Sequence, residues 1–139
     1  MDTALDAPRT RSCLPGAVSA LFGAAVGGAA WSLAVWARAY CDAGFDAGGR
    51  FELNVLLPLV VGAEAVFGLA AWAAGRRLAP RVPATALRVL LPALLVVVVT
   101  VWPAWWFFAT RGTLDGYPGD SGLCPAGNVP PRWPAWIPA

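Results

Sequence analysis

The 139-residue chain contains no histidine, lysine or glutamine, and charged residues make up only 13% of it. Without histidine, the commonest general base and metal ligand is missing. Ser19 and Ser32 lie in apolar sequence with no base near them, and the loop carboxylates with Arg50 and Arg111 are what any solvated segment carries. No nucleotide or metal motif is present, so the chain reads as neither an enzyme nor a holder of a metal or cofactor. A net charge of +2 is too small to argue for a nucleic-acid partner. That all ten basic residues are Arg looks like the bias of a GC-rich genome and carries no mechanism.

What the chain has is hydrocarbon. Hydrophobic residues reach 58%, against about 45 to 50% in globular domains, and a soluble protein of this length could not bury them. Three runs are long enough to cross a bilayer, for which about 20 apolar residues suffice. Two carry no charge, and the middle one carries a single Glu. The expected fold is all-α, an integral membrane protein of three transmembrane helices with an irregular Pro/Trp-rich carboxy-terminal tail.

The expected organisation is an amino-terminal tail over 1–14, transmembrane helices over 15–37, 53–75 and 89–110, a Gly-rich loop over 38–52, an Arg-rich loop over 76–88, and a tail over 111–139. The tail before the first span is polar and reads as disordered. The first span follows Arg9 and Arg11 as a signal peptide would, but its uncharged run is longer than a cleavable apolar core. It reads as a retained signal anchor, with cleavage near Ala29 and Ala30 as the alternative. Pro15 suits a first helical turn, Asn54 reads as the cap of the second helix, and Gly75 as its end. Asp-Ala-Gly occurs at 42–44 and again at 46–48, without the ligand spacing of a calcium loop.

Orientation follows from arginine. Arg9, Arg11, Arg76, Arg77, Arg81 and Arg88 fall on one side, and Arg38, Arg50, Arg111 and Arg132 on the other. The dense loop from Arg76 to Arg88 goes inside, which makes the amino terminus cytoplasmic and the tail extracytoplasmic. Trp36, Tyr40, Trp102, Trp105 and Trp106 then form an aromatic belt near the outer interface, with Trp133 and Trp136 resting on the bilayer or on the loop over 38–52.

Three features could carry function. Glu64 stands eleven residues from each end of the run 53–75. An ionised carboxylate at mid-bilayer costs roughly 2.5 to 3.5 kcal/mol, so the side chain is expected to be neutral and to face protein or water. Thr100 and Gly27 lie at a similar depth, so the Glu64 carboxyl is read as bonded to Thr100, a backbone carbonyl or a subunit partner, or as taking part in proton or cation movement. The Thr100 hydroxyl is also expected to serve the Val99 carbonyl that Pro103 deprives of a donor. Gly23-x-x-x-Gly27 permits close helix approach, either to this chain's other helices or to a second copy. Cys41 and Cys124 share the oxidising side and are read as a structural disulfide, since no Cys-x-x-Cys motif suggests redox work.

The residues Gly-Tyr-Pro-Gly-Asp-Ser-Gly-Leu-Cys-Pro at 116–125, Asn-Val-Pro-Pro at 128–131 and Trp-Pro-Ala-Trp at 133–136 resemble those closing a set of small uncharacterised multi-pass membrane proteins of high-GC Gram-positive, actinobacterial, bacteria. The resemblance covers about a fifth of the chain and implies a bacterial plasma membrane, but no activity. The expected role is helix-to-helix association in the lipid bilayer, as a homo-oligomer or as an accessory subunit of another membrane protein. The alternative is a component of a proton- or cation-linked transporter or channel that uses Glu64.

Overall fold

The structure is a computed structural model that describes residues 13–112, 121–124 and Pro130. Expectations for the polar amino-terminal tail, and for Trp133 and Trp136, lie outside those residues.

Three helices account for nearly all of the described chain: α1 (Leu14–Cys41), α2 (Ala47–Leu78), followed by a single 3₁₀ turn (Ala79–Arg81), and α3 (Thr85–Arg111). All three are long and apolar enough to cross a membrane. At 1.5 Å per residue even the shortest reaches about 40 Å, beyond the roughly 30 Å of hydrocarbon, so the helices tilt or project into the headgroup layers. Pro15 falls in the first turn of α1, where its missing N–H has no intrahelical partner.

The helices outrun the apolar stretches, and this corrects the expected loops. Residues 38–52 are mostly helical, leaving a link of five residues, 42–46, between α1 and α2. The doubled Asp-Ala-Gly marks one helix end followed by one helix start. Asp42 caps α1 in the left-handed region at φ 51°. The Asp46 carboxylate caps α2 by accepting from the Gly49 N–H at 2.8 Å. Gly49 permits this fold-back, because a Cβ there would strike the Gly44 carbonyl oxygen. Asn54 is therefore no cap: it lies in the third turn of α2. Nor does Gly75 end the helix. A Cβ on Gly75 would lie 2.5 Å from Pro92 Cα, so its lack of a side chain is what lets α2 and α3 touch there.

The α1–α2 seam is packed backbone to backbone. Gly23 on α1 meets the Glu64 carbonyl of α2, and Gly68 on α2 meets the Ser19 carbonyl of α1; a Cβ on either glycine would collide with that backbone. This reciprocal fit is the close approach that small residues allow in lipid. The seam continues to Trp31, whose Nε1 donates to the Leu53 carbonyl at 2.7 Å. The rest of the buried core is mostly small: Ala30, Ala34, Ala37, Ala71 and Ala104, closed by Leu53, Val96 and Phe108.

Candidate functional site

Two groups of polar residues are held inside or across the bundle. The first is Glu64, just past the middle of α2 and 3% exposed. Its position follows from the glycine seam. With Gly23 against its carbonyl, its side chain runs along Gly27, where an added Cβ would come within 3.0 Å of Glu64 Cγ and 3.1 Å of the Val60 carbonyl. The carboxyl is wedged between α1 and α2, and among the described residues its Oε2 is buried without a hydrogen-bond partner.

Thr100 is fully buried on α3, but its hydroxyl is committed elsewhere. It donates to the Val96 carbonyl at 2.8 Å, with a longer approach of 3.4 Å to Val97. The expected bonds from Thr100 to Glu64 and to the Val99 carbonyl are therefore not formed. The cause is local: a helical threonine hydroxyl reaches back along its own helix to the carbonyl four residues before it. Ser19, Ser32 and Thr110 do the same towards Pro15, Gly28 and Trp106.

The second group ties the helices together at the end carrying the α1–α2 link. Arg38 is 3% exposed, and its Nε donates to the Arg111 carbonyl at 2.8 Å. Arg111 Nη1 in turn meets Glu52 Oε1 at 2.7 Å. One residue from each helix enters this relay, and it satisfies a carbonyl at the end of α3 that has no intrahelical donor. Beside it, Cys41 and Cys124 form a disulfide with Cα atoms 5.4 Å apart. The bond brings residues 121–124 to the end of α1, where the Ser121 N–H approaches the Cys41 carbonyl at 3.4 Å.

The sequence presents Arg38 as a topology marker and Arg111 as a topology marker or solvated loop residue, and the relay between them is not apparent from it. A signal was present: Arg38 follows Ala30 and Ala34 at four-residue steps, which puts it on the buried stripe of α1 rather than in a loop. Aromatic side chains cluster at the same end. The Trp36 and Tyr40 rings lie 5.6 Å apart and those of Trp102 and Trp105 5.9 Å apart. Trp36, Trp102 and Trp106 are exposed on the bundle, as an interfacial belt requires.

No group of three or more Cys, Asp or Glu residues that could hold a metal ion occurs among the described residues. The arrangement offers hydrogen bonding and packing, with Glu64 and Arg38 as the buried ionisable side chains among the described residues. No protein-family model, curated protein or solved structure matches the chain.

Proposed function

We propose that this small multi-pass integral membrane protein acts by helix-to-helix association, as an oligomer or as an accessory subunit of another membrane protein, and is not an enzyme. The observation that carries this reading is the sealing of Glu64. Its carboxyl sits between α1 and α2 behind Gly23 and Gly27, so it works as part of a packed joint and not as the wall of a conduit. What the bundle presents outward is apolar, including Leu21, Leu59, Val66, Val98 and Trp106. Such a face suits lipid or another helix. The four Arg between 76 and 88 support a bacterial plasma-membrane placement with that loop and the amino terminus cytoplasmic.

Chemical cross-linking in native membranes, followed by transfer to nanodiscs and mass measurement, tests the association. A second copy or a stoichiometric partner is expected, and a lone chain in both preparations would overturn the proposal. For the topology, a cysteine placed at Ala84 should react with an impermeant maleimide only after the cells are opened. Labelling in intact cells would reverse the orientation.

One observation favours a second reading. An unpartnered buried carboxyl oxygen is what a proton or cation carrier would need, in an oligomer whose other copies complete the path. Proton flux into liposomes that disappears in Glu64→Gln would favour it, and leakage equal to that of protein-free liposomes would remove it.

A further inference from the structure

At the end opposite the disulfide, where α2 turns into α3, a crevice of about 390 Å³ is lined by Trp72, Arg76, Pro80, Arg88, Val89 and Pro92, among others. Trp72 also lines a second hollow. This one is an apolar groove of about 450 Å³ between α1 and α3, with Val18, Phe22, Ala93 and Val97 in its walls. Two cationic side chains therefore stand over a slot with hydrocarbon walls, at the level where a transmembrane helix passes from lipid to water. Arg88 is held in place, its Nε and Nη2 donating to the Val82 carbonyl at 3.2 and 2.9 Å. A guanidinium has five N–H donors, so others remain for an anion. Arg76 lies one turn beyond Trp72 on α2.

Among the described residues, the charge at this end has one sign. Arg76, Arg77, Arg81 and Arg88 are there, while the described acids are Asp42, Asp46 and Glu52 at the far end and Glu64 in the middle. We infer that the crevice and groove together bind one anionic phospholipid, with its phosphate between Arg76 and Arg88 and an acyl chain along Val18, Phe22, Ala93 and Val97. Arginine suits this role because its planar fork matches a phosphate. The groove supplies what an ordinary Arg-rich loop lacks, a place for the tail of the same molecule.

The test uses the full chain in phosphatidylcholine nanodiscs containing a few per cent phosphatidylglycerol, with lipid retention read by native mass spectrometry. One phosphatidylglycerol per chain should survive, in preference to phosphatidylcholine. The double variant Arg76→Gln/Arg88→Gln should weaken retention about a hundredfold, since each Arg gives up a direct charge-assisted hydrogen bond to the phosphate, worth roughly a factor of ten. The control Arg77→Gln/Arg81→Gln makes the same charge change outside the crevice, loses only the screened surface attraction, and should weaken retention by clearly less.

Because Arg88 also braces the α2–α3 turn, a second variant probes the groove alone. Ala93→Trp fills it without touching either arginine, and should weaken retention as well. Equal loss in the two arginine pairs would reduce the effect to surface charge and overturn the assignment. So would retention unaffected by Ala93→Trp, or displacement of the lipid by millimolar inorganic phosphate.

Discussion

The two faces of α1 are packed by different means. Towards α2 it presents Ser19, Gly23 and Gly27, and at Ser19 and Gly23 the backbones meet so closely that not even a Cβ fits between them. Towards α3 it presents Val18, Phe22, Val26 and Leu33, and the larger side chains leave grooves of about 450 and 240 Å³. The greasier face makes the looser joint. In water the opposite would be expected, because apolar area removed from solvent drives association. In lipid, side chains of either helix are as well solvated apart as together, so van der Waals contact decides, and glycine permits more of it than valine does.

The comparison predicts effects of very different size. Gly23→Leu forces a side chain into the Glu64 backbone and should cost about 3 kcal/mol or more, at the upper end of overpacking; denaturant titration in bicelles would measure this. Cys124→Ser removes a cross-link spanning 83 residues. The chain-entropy model allows about 4.5 kcal/mol for such a loop, and about 2 kcal/mol is expected here because the bilayer already confines the unfolded chain. Non-reducing electrophoresis would show the lost bond alongside the shifted transition. Ala29→Leu extends into the smaller groove between α1 and α3, and should change stability by less than about 1 kcal/mol. A loss as large as that of Gly23→Leu would erase the contrast between the faces. Glu52→Ala breaks an ion pair whose side chains are 53% and 44% exposed, so about 0.5 kcal/mol or less is expected, shrinking with salt.

Much of the architecture could be read from residue types. Three charge-poor runs gave three long helices, because in lipid a backbone must satisfy its own hydrogen bonds. The positions of Cys41 and Cys124, one after the first span and one after the third, put both thiols at one end of the bundle, where they are bonded. The helix ends were less legible. Gly44, Gly48 and Gly49 looked like a loop, yet Gly48 and Gly49 lie in the first turn of α2, because the Asp46 cap outweighs their poor propensity. Gly75 looked like a stop for a related reason: composition shows that a residue is small, but not which helix comes to lie against it.

The same limit applied to Glu64. Counting residues along the runs places it near the depth of Gly27 and Thr100, but only the packed fold brings the Glu64 side chain along Gly27 while the Thr100 hydroxyl bonds within α3. Arg38 was hidden by convention, since an Arg at the end of an apolar run reads as a topology marker. Its place on the Ala30–Ala34 stripe pointed to burial instead.

The central claim is that direct backbone contact between α1 and α2, and not apolar character as such, holds this bundle together. Two glycines of α2 test it six residues apart. A Cβ at Gly68 would strike the Ser19 carbonyl, whereas a Cβ at Gly62 would meet nothing within 4 Å. Thermal unfolding of Gly68→Ala and Gly62→Ala in one lipid composition is therefore the most direct measurement. The midpoint should fall clearly for Gly68→Ala and hold or rise for Gly62→Ala; equal midpoints, or the reverse order, would contradict the account.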